Sequence, residues 1–370
     1  MEQVDFLKDI NRDGKERPWK KKKEQSLKMA EAYQEAGLHK KATRMCQCGN
    51  VLEFKKTDNG MKLANAYFCK VRLCPMCMWR RSLKLVNQNT RIIERANEQQ
   101  KLSWIFLTLT VKNVEGEDLK ATLTHLSRSF SRMFGGQKGS PKKVSEAVVG
   151  YLRTLEITRD TDRLVTEKRY KNNPKYYKSR GLKVGDVNPN FNTYHPHYHV
   201  LICVKPSYFK KPNEYITQKE WTSYWQKCAR LDYTPIVDVR PVKPKQQSER
   251  QSVFATVHEI ENSISEMGAV LETSKYAVKD MDVITNFEDI EESADIVKIL
   301  DNALHYKRLV DHGGLLREIK KELKLEDVES DNANLIQLDD SADDLAQECQ
   351  HVMAYWHTGH SNYVISKKLK

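Results

Sequence analysis

The spacing of hydrophobic and polar positions divides the chain into helices and strands. Residues 104–111 are an unbroken run of aromatic, β-branched and leucine side chains, which predicts a buried strand. Apolar residues recur at helical spacing over 79–99 and predict a helix there. The same patterns predict helices at 25–36, 117–135, 218–230 and 260–279, strands at 147–158, 195–204 and 236–242, and a weaker strand at 253–257. This order favours an α+β fold, with helices packed against a central, mainly antiparallel sheet.

One long segment, 159–190, lacks any periodicity and is rich in lysine, arginine and asparagine. In a compact domain, a segment of that length without regular structure is typical of a functional loop or of disorder.

Length and composition predict a chain of more than one structural unit. A chain of 370 residues with 39% hydrophobic residues can bury a sizeable core. We expect a basic N-terminal arm at 1–40, a cysteine-rich module at 41–80, a larger domain at 81–320 and an acidic C-terminal segment at 321–370. No apolar run approaches the roughly 18 residues that span a bilayer, and the first residues lack the apolar core of a secretory signal. We therefore expect a cytoplasmic protein with no membrane partner.

The net charge of +12 favours an anionic partner, and nucleic acid is the commonest. The charge is uneven, because a basic run at Lys20–Lys23 contrasts with an acid-rich segment at 326–348. The alternative on charge alone is an ordinary basic soluble protein.

Five of the eight cysteines fall within 46–77, which indicates a metal site rather than disulfides. A structural Zn²⁺ takes four thiolates. The knuckle Cys74-Pro75-Met76-Cys77 is the strongest part of the signal, with the remaining ligands open. The candidate ligands are Cys46, Cys48, Cys69, Cys74 and Cys77. Basic side chains beside the cluster are candidates for DNA phosphate contacts, namely Arg72, Arg80 and Arg81.

Three histidines alternate along the strand at 195–204. His195, His197 and His199 would project from the same face, so their ring nitrogens could converge on one ion. Two imidazoles bind weakly, and the third ligand is either Glu156, on an otherwise apolar strand, or His195. Such a mixed ligand set with open positions suits a catalytic Mg²⁺ or Mn²⁺.

The helix at 260–279 carries a candidate nucleophile. Glu272, Tyr276 and Lys279 are spaced by four and three residues and share a face. A tyrosine hydroxyl titrates near pH 10, so attack on a phosphate would need a metal and the positive charge of Lys279. Glu272 could act as a general base in a later step. The alternative is a surface helix with an ordinary charge pattern.

These motifs closely resemble the replication initiator (Rep) proteins of small bacterial rolling-circle plasmids, in the HUH superfamily of nucleases. The Leu-Thr strand at 106–110, the histidine strand and the tyrosine helix follow in the family's order. The resemblance also includes 231–235, 240–241 and the cysteine region, and thus spans about 44–320.

The resemblance implies an HUH nuclease fold, as an endonuclease domain at 81–320, and site-specific nicking of plasmid origin DNA, single-stranded or in a hairpin. It implies a 5′-phosphotyrosine link, a 3′-hydroxyl that primes synthesis, and later closure of the nick. By motif, His197 and His199 match the metal pair, Tyr276 the nucleophile and Lys279 its accompanying lysine. Glu272 matches the glutamate that supports hydrolytic termination in the single-tyrosine branch. The expected protein partner is a host helicase, and self-association stays open.

Two alternatives belong to other classes. Conjugative relaxases share the chemistry but usually place the tyrosine before the histidines, whereas Tyr276 follows them here. A non-catalytic, zinc-stabilised DNA-binding regulator could retain a degenerate nuclease fold. The intact Tyr276, Glu272 and histidine pair favour the enzyme.

Overall fold

The computed structural model describes residues 4–11, 14–57, 60–136, 139–242, 266–274, 289–338 and 351–366. The helices are α1 (Trp19–Glu35), α2 (His39–Gln47), α3 (Pro75–Gln99), α4 (Leu119–Phe134), α5 (Lys142–Ala147), α6 (Glu167–Asn172), α7 (Pro174–Lys178), α8 (Gln218–Cys228), α9 (Glu266–Ser274), α10 (Ile290–Leu304) and α11 (Leu315–Glu322). The strands are β1 (Val51–Thr57), β2 (Gly60–Ala66), β3 (Ser103–Thr110), β4 (Val148–Arg159), β5 (Tyr194–Val204), β6 (Val237–Val242), β7 (Val310–Gly314), β8 (His351–His357) and β9 (Asn362–Ser366). The predicted strand at 253–257 and both ends of the predicted helix at 260–279 lie outside the described residues. None of the described helices is long and apolar enough to cross a membrane.

The larger of the two sheets has five strands, in the order β6-β3-β5-β4-β7. Each neighbouring pair is antiparallel. Helices flank this sheet, so the predicted α+β architecture with a mainly antiparallel sheet is confirmed. The histidine strand β5 is the middle strand, with β3 on one side and β4 on the other.

The two faces of this sheet have different helix partners. On one face, α4 packs its Phe130 edge-on against Tyr198 of β5 and Tyr151 of β4, with ring centroids 5.4 and 5.0 Å apart. The other face carries the histidines and is contacted by α9, and α9 in turn packs on α3. The face of the sheet that carries the histidines is thus covered by the helix that contains Glu272.

A second sheet, in the order β2-β1-β8-β9, joins the two ends of the chain. Val51 of β1 pairs with Tyr355 of β8, and β9 continues the sheet. This differs from the expectation of a separate acidic segment at 321–370. The alternating pattern of β8 and β9 does not reveal which strand, distant in the sequence, they pair with.

Much of the expected N-terminal arm is packed against this second sheet. Trp19 of α1 is buried and makes edge-to-face contacts with Phe54 of β1 and Trp79 of α3, at 5.8 and 4.7 Å. Its indole Nε1–H donates to the buried Asp9 carboxylate at 2.7 Å. Residues 19–35 are therefore a core helix rather than a free basic arm, because their apolar side chains have a partner that the local sequence does not contain.

The described part of the acid-rich segment, 326–338, docks on the cysteine region and on α3. Glu326 pairs with Lys84. The side chain of Glu329 is 7% exposed, accepts from the backbone N–H of Leu309 at 2.9 Å and lies 3.4 Å from Arg72. These carboxylates therefore hold elements of the molecule together.

Candidate active site

The register of three neighbouring strands brings the predicted metal ligands together. His197 lies opposite Glu156 of β4 and opposite Thr110 of β3. His199, two residues further on, projects from the same face of β5 and pairs with Thr108. The alternation in the sequence therefore predicts the correct face, and the β4–β5 register supplies the carboxylate.

Glu156, His197 and His199 form a compact group whose ligand atoms all lie within 4.8 Å of one another. Oε2 of Glu156 is 3.1 Å from Nε2 of His199 and 3.8 Å from Nε2 of His197. Glu156 is only 5% exposed. Two imidazoles and a buried carboxylate on one face could hold a divalent metal ion, with open positions for oxygen ligands.

Neighbouring groups orient both imidazoles. His197 Nδ1 lies 3.1 Å from the backbone carbonyl of His195, so an Nδ1–H there leaves Nε2 free to bind a metal. The Thr108 hydroxyl lies 3.3 Å from His199 Nδ1, and Phe106 stacks on the His199 ring at 5.4 Å. Burial, with a contribution from His199, lowers the pKa of His197 to about 4. His197 is therefore neutral at neutral pH, which is the form that ligates metal.

His195 lies beside this group rather than within it. Its ring stacks on that of His197 with centroids 5.1 Å apart, and burial lowers its pKa. Between the two candidates for a third ligand, Glu156 belongs to the compact group.

Helix α9 delivers Glu272 to the same site. Its Oε1 lies 3.6 Å from Nε2 of His199. The Thr154 hydroxyl of β4 donates to the backbone carbonyl of Thr273 and anchors the helix to the sheet. The predicted nucleophile Tyr276 and Lys279 lie outside the described residues.

A buried polar chain that sequence reasoning missed also anchors α9. Asn89 of α3 donates through Nδ2 to the hydroxyl of Ser274 at 2.9 Å, and its Oδ1 lies 3.0 Å from Nε2 of His312 on β7. Burial lowers the pKa of His312 to about 3, so this imidazole is neutral and donates an N–H to Asn89. No local motif marks these residues, because the three elements are far apart in sequence.

Four of the five clustered cysteines converge on a second site. Cys48, Cys69, Cys74 and Cys77 are buried, and their sulfurs all lie within 4.8 Å of one another. The Sγ atom of Cys48 is 3.6 Å from that of Cys77 and 3.7 Å from that of Cys74. Tetrahedral thiolates at about 2.3 Å from a metal stand roughly 3.8 Å apart. This group could therefore hold a metal ion, whereas Cys46 is exposed.

The local structure explains how the chain presents these sulfurs. Cys74 is the N-cap of α3, and Pro75 occupies its first position, where a missing N–H costs nothing. The backbone N–H of Lys70, at a positive φ of 58°, donates to Cys77 Sγ at 3.2 Å. Lys23, a residue of the basic run, is buried and donates to the carbonyl oxygens of Cys46 and Cys48 at 2.7 and 2.9 Å.

The arginines that the sequence suggested for DNA binding have other contacts. Arg80 is 3% exposed and donates to the carbonyls of Leu335 and Ile336 at 2.9 and 2.7 Å. Arg81 is 1% exposed and donates to the carbonyl of Lys70 at 2.9 Å. Arg72 lies 3.4 Å from Glu329. Arg80 and Arg81 therefore join elements of the protein, and their burial keeps them from a phosphate in this conformation.

Comparison with known proteins agrees with the motifs. The model of the replication protein family matches residues 60–364. The chain is similar to a "Protein rep" of Bacillus amyloliquefaciens, with 41% identity over 369 residues and 97% of each chain covered. It is also similar to a "Protein rep" of Lentilactobacillus hilgardii, with 37% identity, 97% of this chain and 98% of that protein covered. A "Protein rep" of Streptococcus pneumoniae serotype 2 is 36% identical, with 98% and 96% covered.

The family match covers most of the chain, and the matched residues include the histidine strand and Cys69, Cys74 and Cys77. The chain is a member of the Rep family of plasmid replication initiators, which confirms the resemblance of its motifs. No solved structure gives a significant match to it.

Proposed function

We propose that the chain is a rolling-circle initiator with an HUH nuclease fold, which nicks and closes plasmid origin DNA through a tyrosine nucleophile. One observation carries this proposal: Glu272 Oε1 lies 3.6 Å from His199 Nε2. The helix that leads into Tyr276 therefore lies on the sheet face that bears Glu156 and the histidine pair.

The donor set fits a catalytic divalent ion. Glu156, His197 and His199 would hold Mg²⁺ or Mn²⁺, and such an ion supplies Lewis-acid polarisation of the scissile phosphate. One carboxylate and two imidazoles leave positions open for phosphate oxygens.

Tyr276 is the proposed nucleophile. Its hydroxyl oxygen bonds to phosphorus, the bond from phosphorus to the 3′ oxygen breaks, and the phenol proton is lost while the leaving 3′ oxygen gains a proton. The products are a 5′-phosphotyrosine and a free 3′-hydroxyl. Lys279 stabilises the phenolate as it develops. Closure of the nick is the reverse attack by a 3′-hydroxyl.

Glu272 is the proposed general base for the later step. A carboxylate that lies against His199 can take the proton of a water as that water attacks the phosphotyrosine. The link then breaks by hydrolysis, and Tyr276 regains its proton.

We further propose that the four buried cysteines bind a structural Zn²⁺. Four thiolates in a closed, buried group are the usual donor set of such a site. This zinc would have no part in the chemical step.

The test is adduct formation between the full chain and single-stranded origin DNA in the presence of Mn²⁺, read on a denaturing gel. We expect an adduct with the wild type and none with Tyr276→Phe, while Tyr306→Phe, a change at a tyrosine that is 90% exposed, retains it. Glu272→Ala should still nick but release the adduct slowly. An adduct of normal yield with Tyr276→Phe, or no adduct with the wild type, would overturn the proposal and favour a non-catalytic regulator.

A further inference from the structure

A cleft of about 1070 Å³ opens beside the metal group. It lies where β3 and β4 end and β5 begins, and both Thr110 and His195 line it. His195 is two residues from His197 and stacks on its ring. The cleft is therefore continuous with the face on which the scissile phosphate would bind.

One wall of the cleft is the polar segment 159–190, which is held in place by hydrogen bonds and ion pairs. Its Asp160 carboxylate is buried, pairs with Arg169 at 2.7 Å and accepts from Asn188 Nδ2 at 2.9 Å. The opposite wall is the segment 233–236 before β6. Both walls thus stand at fixed positions on the two sides of His195.

The charge of the lining is positive. The lining contains five basic side chains and one carboxylate, that of Asp160. The basic residues are Lys112, Arg159, Arg169, Lys175 and Arg180. Arg159 and Arg169 are paired with carboxylates, but Lys112, Lys175 and Arg180 are exposed. This balance suits a phosphate backbone.

Each wall also presents a half-buried tyrosine. The guanidinium of Arg180 lies 3.9 Å from the ring centroid of Tyr176, and the ammonium of Lys112 lies 3.9 Å from that of Tyr233. Tyr176 is held by an edge contact with Tyr177 at 5.0 Å, and its hydroxyl accepts from Asn190 at 3.1 Å. Aromatic side chains in a positively charged groove are the arrangement on which unpaired bases stack.

We propose that this cleft binds the unpaired nucleotides next to the scissile phosphate, with Tyr176 and Tyr233 as stacking platforms and Lys112, Lys175 and Arg180 as phosphate contacts. Stacking on a side chain requires a base face that a duplex covers with neighbouring bases. The cleft therefore selects single-stranded DNA. The identity of the ligand, DNA next to the scissile phosphate, rests on the proposed nicking function. The binding of a single strand in the cleft does not.

The experiment measures binding without cleavage, using the full chain in EDTA and fluorescence anisotropy of a labelled oligothymidylate. A duplex of the same length is the comparison. We expect the single strand to bind more tightly than the duplex. Tyr176→Ala and Tyr233→Ala should each weaken single-strand binding about 5- to 150-fold. This change in affinity corresponds to the stacking energy of one base. Tyr176→Phe keeps the ring and should stay within about twofold of the wild type.

The control is Tyr306→Ala, at an exposed tyrosine outside the cleft, which should bind like the wild type. A second arm changes only exposed side chains, those of Lys175 and Arg180. The double change Lys175→Gln and Arg180→Gln should lower the slope of log K against log salt by about 1.4, for two single-strand phosphate contacts. Equal affinity for the duplex, or unchanged binding and salt slope in these variants, would overturn the inference.

The two proposals fail in different ways. A wild type that binds the single strand through the cleft but forms no adduct would contradict the nuclease and leave the cleft standing. An adduct that depends on Tyr276, with binding indifferent to Tyr176 and Tyr233, would contradict the cleft alone.

Discussion

One buried carboxylate, that of Glu156, lies beside the histidine pair. Glu156 is buried and within 3.1 Å of His199 Nε2. A carboxylate at 5% exposure is costly to keep ionised without a cationic partner. A divalent ion bound to Glu156 and the two imidazoles would offset much of that cost.

Glu156→Gln should therefore weaken divalent metal binding. The amide keeps the shape of the side chain but removes the charge, so we expect the Mn²⁺ concentration for half-maximal nicking to rise at least about tenfold. Binding of single-stranded DNA in EDTA should not change. The measurement is a Mn²⁺ titration of nicking, with Glu318→Gln on the exposed side of α11 as the matched control. An unchanged titration would remove Glu156 from the metal site.

Sequence patterns predicted the residues that local periodicity governs. The alternation of His197 and His199 fixes their common face, and the apolar neighbours of Glu156 mark it as unusual on its strand. The buried roles of Arg80 and Arg81 were not predictable. The partners of Arg80 are carbonyl groups about 255 positions away, and that of Arg81 is the carbonyl of Lys70, whose φ is positive.

Helix α9 is held by contacts from neighbouring elements. The Thr154 hydroxyl donates to the carbonyl of Thr273, and Asn89 donates to the hydroxyl of Ser274. Asn89 in turn takes the N–H of the neutral, buried His312. Three separate elements thus fix the point from which the chain continues to Tyr276.

Asn89→Ala should loosen that point. It leaves the buried His312 N–H without its acceptor, and we expect the free energy of unfolding to fall by about 1–3 kcal/mol. The rate of adduct formation should fall at saturating DNA, while affinity for single-stranded DNA in EDTA stays constant. The double variant with Ser274→Ala should be little slower than Asn89→Ala alone, since both changes remove the same bond. A normal adduct rate in Asn89→Ala would show that the bond has no part in positioning α9.

Element types were largely predictable, and their long-range partners were not. The helices and strands near the site follow from periodicity, with α3 beginning four residues before its predicted start because Cys74 and Pro75 form its cap. The pairing of β8 with β1 joins segments about 300 residues apart. No pattern within either strand encodes that pairing, because both edges present the same backbone groups.

At the scale of the whole molecule, α3 connects the two candidate metal groups. Its N-terminal cap and first turn supply Cys74 and Cys77, and Asn89 further along the same helix holds Ser274. The 12 residues from Cys77 to Asn89 span about 18 Å of helix. A rigid helix fixed at the cysteine group therefore sets the position of α9 over the histidine face.

Loss of metal from the cysteine group should consequently slow nicking from a distance. Cys74→Ser removes one thiolate and the cap of α3, and we expect bound zinc to fall from about one ion per chain to near zero, with lower thermal stability. The adduct rate with saturating Mn²⁺ should fall too, although no residue of the histidine face has changed. Cys46→Ser is the matched control, because Cys46 is exposed and outside the group of four. Zinc content by elemental analysis, a thermal melt and the adduct assay on both variants separate the outcomes. Full zinc in Cys74→Ser would contradict the ligand assignment, and zinc loss with a normal adduct rate would contradict the coupling through α3.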